Sequence, residues 1–429
     1  MSRHQAVSVL PPERANWLRS VPLTKLLAAL DSAGEEARVV GGAVRNALLE
    51  LPIGEVDVAT TATPEVVTKR AKAAGLHVVP TGIDHGTVTV VVHDVPFEVT
   101  TLRQDIETDG RHATVRFGRD WKADAERRDF TINALFADRE GKLFDFVGGL
   151  KDIEARRVRF IGDPAQRIAE DHLRVLRFFR FHAGYAEGLP DSAGLAACIK
   201  ARDSVGQLSR ERVRNELMKL LLARHTVPTL AVMAESGILI DVLGGVPHLA
   251  SLSNLIKAEA HLGLDSDGAR RLAALAVWVR EDADRLRERL RLTNDEHRRL
   301  RSMAENWWQI SPEMGQVARR AVIYRIGADA YRERVVLAFS RAHGKIEDAG
   351  WQELFALPVE WTPPKFPLAA KDFIERGVEK GPLLGSALSI AETSWIDSGF
   401  PDDIDVLRAI VVWAIEQARK GADPKSGEA

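Results

Sequence analysis

The sequence predicts an α+β chain, with a mixed first third followed by a region that is almost wholly helical. Three observations carry that expectation. Runs of β-branched residues alternate with amphipathic periods up to about Gly149. From Ala155 onward the apolar spacing is helical, punctuated at Gly188-Leu189-Pro190, at Gly244-Gly245 and from Trp361 to Pro367. Near the N-terminus a strand, a Gly41-Gly42 turn and a helix opening sit beside a second strand bearing two acids. The boundaries drawn are 1–22 as a lead-in, 23–154 as the mixed domain, 155–225 as a helical segment and 226–429 as a second helical region.

A chain of 429 residues holds roughly two to four domains with real cores. A hydrophobic share of 45% and a charged share of 28% are those of an ordinary soluble protein. The net charge of -2 advertises no global field for nucleic acid, so any RNA affinity must come from local patches. The single cysteine, Cys198, excludes an intramolecular disulfide and a multi-cysteine zinc cluster. The first residues lack the apolar run of a signal peptide, and no stretch reaches membrane-spanning length. Together these predict a cytoplasmic protein with no membrane contact.

In chain order, a helix is expected from Thr24 to Ser32. Val39 and Val40 then form an apolar strand that ends at Gly41-Gly42, and a helix opens near Ala43. The glycines let backbone N–H groups approach a phosphate, the helix start favours negative charge, and Arg45 in its first turn adds a cation. Glu55 and Asp57 stand two apart on the next strand and so emerge on one face, a pair suited to Mg²⁺. Pro64 to Ala74 reads as a helix, Gly86 to Val92 as a strand, His93-Asp94 as a turn and Pro96 to Leu102 as the returning partner. Glu98 and Thr100 share one face of that partner. Gln104 to Asp120, polar and without clear period, predicts a long loop. His93-Asp94 lacks companion ligands and is read as a turn, not as a phosphohydrolase pair.

Arg127-Arg128-Asp129 suggests Arg128 reaching a ligand while Asp129 orients it. From Arg167 to His182 a single helix is expected, with Ile168, His172, Leu173, Val175, Leu176 and Phe179 on one side. Asp171, Arg174 and Arg177 fall opposite, Arg180 lies at the edge, and Phe178 and Phe181 are interleaved. One acceptor and a row of planar donors can read a nucleobase edge, and Phe178 or Phe181 can stack on it; a salt-bridged helix with core phenylalanines is the plainer alternative. Ser209 caps a bracing helix to Leu222. The arginines between Arg285 and Arg301, diluted by Asp284, Glu288, Asp295 and Glu296, read as a solvated face before they read as an RNA contact.

These strings, together with Phe144-Asp145, Gly148-Gly149, Glu170-Asp171, and Glu211-Arg212 with Glu216, appear in an order that resembles the class II tRNA nucleotidyltransferases. These are the CCA-adding enzymes, related to bacterial poly(A) polymerases within the polymerase-β superfamily. Asp109-Gly110-Arg111-His112-Ala113 is similar to a flexible-loop string of mitochondrial and alphaproteobacterial members. The resemblance covers about residues 38–222 and is looser beyond. It implies a polymerase-β-like nucleotidyltransferase head on an all-α neck, body and tail, the last two facing tRNA. It implies addition of C, C and A to tRNA 3′ ends from CTP and ATP, by two-metal phosphoryl transfer with Mg²⁺. Gly42 and Arg45 would hold the triphosphate, Glu55 and Asp57 the metal, and Arg128 the nucleotide. Asp171 and Arg174 would read the base, with Arg177 and Arg180 alongside. Glu98 is added as a candidate third acid from its place on the neighbouring strand.

Two positions depart from the family pattern. Glu55 stands where the pattern has the first Asp of Asp-x-Asp, and Asn46 follows the motif arginine where the pattern has Asp. Mg²⁺ demands near-ideal geometry, and a misplacement of roughly 1 Å can cost about a hundredfold in rate. The chain is nonetheless expected to be active. The alternatives are a poly(A) polymerase, an enzyme adding only CC or only A, and an RNA-binding descendant weakened at Glu55. Val79 to Thr87 lacks the Gly-Arg-Arg-Phe-like string of the poly(A) enzymes and the tail is not basic, which favours CCA addition.

Overall fold

The computed structural model describes residues 8–80, 82, 86–108, 113–342 and 344–421. The described residues divide into two compact units, those within 8–247 together with 289–291, and those within 248–288 and 292–421.

The first unit carries the strands β1 (Ser8–Val9), β2 (Ala37–Val40), β3 (Asp57–Thr60), β4 (His77–Val79), β5 (Thr87–Val92), β6 (Val95–Thr101), β7 (Arg103–Thr108), β8 (Ala113–Phe117), β9 (Leu135–Ala137) and β10 (Lys142–Asp145). Eight make one sheet in the order β1-β10-β9-β2-β3-β6-β5-β4, while β7 and β8 pair as a separate ribbon. Within the large sheet β3 and β6 run parallel, Val58 opposite Val99, and the other pairs are antiparallel. Central β2 is buried at every residue. Its one charged side chain, Arg38, lays its guanidinium over the faces of Trp121 and Phe144 at 4.0 and 3.7 Å. Val40, Ala59, Leu102, Trp121, Phe136, Phe144 and Ile161 form a core against that sheet. On β5 the burial alternates, with Val88, Val90 and Val92 inside, as a half-buried strand requires. His93 and Asp94 close the β5–β6 hairpin with φ of 49° and 64°, the backbone of a two-residue turn that matches strand twist.

The helices of this unit are α1 (Pro12–Ala15), α2 (Val21–Leu30), α3 (Gly42–Leu48), α4 (Pro64–Ala73), α5 (Trp121–Glu126), α6 (Gly149–Glu154), α7 (Pro164–Glu170), α8 (Arg174–Tyr185), α9 (Ser192–Lys200), α10 (Arg210–Leu221), α11 (Thr226–Glu235) and α12 (Ile238–Leu243). Ser209 caps α10, its hydroxyl accepting from Arg212 N–H, as its position suggested. The second unit is built from α13 (Leu249–His261), α14 (Gly268–Ala276), α15 (Arg280–Leu290), α16 (Asn294–Ala304), α17 (Gln316–Ile326), α18 (Ala328–Arg341), α19 (Ala349–Glu360), α20 (Ala370–Ile374), α21 (Pro382–Asp397) and α22 (Ile404–Gly421). A core around Phe373, Trp395, Ile410 and Val411 binds α20, α21 and α22. Among the described residues no helix is long and apolar enough to cross a membrane.

Three expectations need correction. The long loop from Gln104 contains the β7–β8 ribbon; a local hairpin satisfies its own backbone groups without the apolar stripe that pattern-reading seeks. The Asp109–His112 part of the family string lies outside the described residues, as do residues 81 and 83–85 of the 79–87 string. The strand expected to carry both acids begins at Asp57, so Glu55 belongs to the irregular segment leading into it. The helix expected from Arg167 to His182 is two helices. Asp171 between them is extended, at φ −153° and ψ 106°, and its carboxylate accepts from Leu173 N–H at 3.0 Å, a local bond that competes with helix continuation.

Candidate nucleotide and metal site

The turn between β2 and α3 needs glycine. Gly41 has φ 74°, which a Cβ would strain, and its N–H donates to Leu135 O at 3.1 Å, locking the turn to β9. One turn into α3, Arg45 is only 6% exposed. Its guanidinium donates to Asn133 Oδ1, to the Tyr185 hydroxyl at 2.8 Å and to Asn46 Oδ1 at 3.1 Å, and lies 3.9 Å from the Tyr185 ring centre. All three acceptors are neutral, and among the described residues no carboxylate is within ion-pair distance. Burial holds this guanidinium below its ordinary pKa, with the neighbouring Arg180 working in the same direction. A buried cation with no carboxylate at ion-pair distance, felt only from farther off by Asp129, is a ready site for an anion.

Glu55 and Asp57 line the same cavity as Arg45. Burial pushes the Asp57 carboxyl above its usual range, and the charges of Glu98 and Glu55 push it further, against a pull from Arg128. That is a carboxylate whose ionised form a cation would relieve. Glu98 acts on Asp57 from the neighbouring strand, where the register β3–β6 sets it alongside, but it does not line the cavity.

The Arg127-Arg128-Asp129 string works differently from the sequence expectation. Asp124, 1% exposed, holds both arginines: its carboxylate accepts from Arg127 Nε at 2.8 Å and from Arg128 Nη2 at 3.1 Å. Asp129 instead grips Arg177 of α8, accepting from Nε at 2.8 Å and from Nη2, and also accepts from Asn133 Nδ2 at 3.1 Å. Burial would raise the Asp129 carboxyl, but the Arg177 charge and these donors hold it below the usual range. Arg128 is therefore oriented by Asp124, and Asp129 orients a residue of the helical segment.

On α8 and the turn before it, Asp171 accepts from Arg212 at 2.7 Å, and Arg174 donates from Nη1 to Arg167 O at 2.7 Å and to Glu170. Arg174 thus keeps Nε and Nη2 for a ligand, and Asp171 keeps spare lone pairs. Glu216 of α10 braces Arg180. Phe178 is fully buried, stacked 5.3 Å from Phe160, so it cannot meet a base; Phe181 does reach the cavity, under the Arg180 guanidinium at 4.0 Å.

One cavity of about 670 Å³ collects these groups. Its lining includes Gly41, Gly42, Arg45, Glu55 and Asp57 from the β2–α3 turn and the approach to β3, Arg127, Arg128 and Asp129 after α5, and Asp171, Arg174, Arg177, Arg180 and Arg212 from the helical segment. Arginines and a lysine far outnumber carboxylates on its wall, which suits a polyphosphate. Every nucleotide-binding and metal candidate from the sequence is brought here. Sequence reading gave no role to Asp124, Asn133 or Tyr185, and it named Arg212 only within a motif, without its partner Asp171. Only Asp124 had a local signal, its helical spacing of three and four from Arg127 and Arg128. By contrast, many of the arginines after Asp284 are tied to acids, such as Arg298 to Asp295 and Arg299 to Asp267 and Glu333, which is the plainer reading given to them.

Comparison with known proteins agrees with this architecture. The model of the poly A polymerase head domain matches residues 37–159, and that of the probable RNA and SrmB-binding site of polymerase A matches residues 191–252. The mitochondrial CCA tRNA nucleotidyltransferase 1 of Mus musculus is 33% identical over 398 residues, covering 91% of this chain and 88% of its own. The CCA-adding enzyme of Limosilactobacillus fermentum is 30% identical over 389 residues, covering 90% and 95%. In fold, the Bacillus stearothermophilus CCA-adding enzyme in complex with CTP superposes with a TM-score of 0.71 at 24% identity, covering 94% of this chain and 99% of its own. The Thermotoga maritima CCA-adding enzyme complexed with tRNA gives 0.67 at 19% identity, covering 95% and 97%. With its sheet, its cavity and these whole-length relatives in agreement, the chain belongs to the CCA tRNA nucleotidyltransferase family of enzymes.

Proposed function

We propose that this enzyme adds C, C and A to the 3′ end of tRNA from CTP and ATP, without a nucleic-acid template and with release of pyrophosphate. The observation that carries this is the convergence of a buried arginine, two carboxylates and a base-reading Asp–Arg pair on one cavity. Arg45 and the Gly41-Gly42 turn would bind the triphosphate, and Arg128, set by Asp124, would contact the nucleotide. Asp171 and Arg174 would match the Watson–Crick edge of the entering base, with Arg177 and Arg180 holding that face of the cavity in place.

Mg²⁺ fits the donor set. Glu55 and Asp57 are hard oxygen ligands, and burial together with the charges of Glu98 and Glu55 raises the Asp57 carboxyl, a cost that a divalent ion would relieve. Among the described residues no group of three or more protein ligands forms a closed site, so phosphate oxygens and water would complete the coordination. When bound, such ions would supply charge to activate the tRNA 3′-hydroxyl and steady the leaving pyrophosphate. Glu98 is kept as a candidate third acid through its charge on Asp57. Residues 23–154 serve as catalytic head, 155–225 as neck, and 226–429 as tRNA-facing body and tail in this reading. A cytoplasmic location, resting on the single buried Cys198, belongs to the same proposal, although the mouse relative is named mitochondrial.

The test offers purified protein tRNA lacking its last three, two or one nucleotides, with CTP and ATP separately. Stepwise C, C and A addition is expected. Products stopping after CC, products of A alone, or a long A tail would each replace this assignment, and no incorporation would remove it.

A further inference from the structure

Between the end of α3 and the start of β3 the chain crosses residues 49–56 without regular structure. Glu50 takes φ 58°, and Leu51 N–H returns to Asn46 O at 2.9 Å. Beyond it, residues 52–56 make a single hydrogen bond among the described residues: Asn46 Nδ2 donates to Pro52 O at 2.8 Å. The Oδ1 of the same side chain accepts from Arg45, from Nη2 at 3.1 Å and Nε at 3.3 Å. The chemistry forces this orientation of the amide, because a guanidinium can only donate and the Pro52 carbonyl can only accept.

We propose that Asn46 is a positioning residue that joins the two halves of the site. One end of its amide steadies the arginine that meets the triphosphate, and the other tethers the loop that delivers Glu55 beside Asp57. The proposal rests on the nucleotidyl-transfer reading above. The family pattern carries aspartate here, but in this chain only an amide can make both bonds. Aspartate would keep the acceptor for Arg45, but it has nothing to donate to Pro52 O and would set like partial charges against each other. Glu55 makes the tether matter more. Its long side chain leaves its carboxylate position dependent on where the loop backbone sits, and Gly54 beside it has open space around it. A displacement of roughly 1 Å at a reacting centre can cost about a hundredfold.

The test compares full-length wild type with Asn46→Asp and Asn46→Ala. Glu-C nicking after Glu50 and Glu55 under native conditions reports loop opening, read by fragment mass. Mn²⁺ binding, followed by electron paramagnetic resonance with a non-hydrolysable CTP analogue, reports the acid pair. Thermal melting checks folding, and the near-isosteric Asn46→Asp keeps the test usable where Asn46→Ala fails to fold. Losing the tether bond should speed nicking about threefold to tenfold and weaken Mn²⁺ binding similarly in Asn46→Asp, and at least as much in Asn46→Ala, which also loses the acceptor for Arg45. Nicking and Mn²⁺ binding within about twofold of wild type in Asn46→Asp would overturn the proposal, because that variant keeps the acceptor for Arg45 while replacing the tether donor by a carboxylate that repels Pro52 O. Wild type that binds Mn²⁺ but incorporates no nucleotide would defeat the functional reading, whereas the tether is judged by the nicking rates.

Discussion

Replacing Asp129 by alanine should damage the site through Arg177, not through the adjacent Arg128. The Asp129 side chain is 10% exposed and accepts two bonds from Arg177, one from Asn133 and one from Phe130 N–H. Stripping one partner from a buried ion pair costs about 3–5 kcal/mol. Arg177 is 31% exposed and retains Glu216 at 3.8 Å, so water and a second carboxylate recover part of that loss. We expect about 2–3 kcal/mol for Asp129→Ala at neutral pH, measured by urea unfolding. In a double-mutant cycle with Arg177→Met, the pair should lose at least ~1 kcal/mol less than the sum of the single losses. Because the folded-state carboxyl is held below its ordinary value, this stabilisation is fully present above about pH 4 and fades as pH falls through the lower folded value. Asp124→Ala is the control, since it frees Arg127 and Arg128 while leaving the Asp129–Arg177 pair intact. A loss below about 1 kcal/mol for Asp129→Ala, or strict additivity with Arg177→Met, would refute the assignment.

Three further outcomes are expected. Asp57→Asn should abolish nucleotide incorporation yet raise the melting temperature of metal-free protein by roughly 1–3 °C at pH 7. The Asp57 pKa is raised by burial, Glu98 and Glu55, so its charge costs stability above the folded value, and the gain should shrink toward pH 4. Gly149→Ala should lose about 2 kcal/mol or more in urea unfolding, since a Cβ there meets Thr131 O at 2.3 Å; a loss under ~0.5 kcal/mol would contradict that packing. Cys198 is fully buried, and burial pushes its thiol up, so a thiol reagent should label one site only on unfolding; rapid labelling of native protein would show otherwise.

The sequence by itself determined the α+β division, the glycine turn, the Arg45 cation and the two neighbouring acids, and it offered Asp171 and Arg174 as candidates. Each is written in short-range terms: β-branched alternation, a positive-φ turn, two acids two residues apart, charges beside an apolar helical period. Tertiary structure alone decided who holds whom. Tyr185 and Asn133 lie 140 and 88 residues from the arginine they support, and Arg212 lies 41 from Asp171. No periodicity records such partners, because a hydrogen bond across the cavity depends on packing of the sheet against α8 and α10. The break at Asp171 was hidden for a related reason. Its carboxylate bonds its own backbone two residues on, and a one-dimensional apolar period cannot distinguish that turn from a continuing helix.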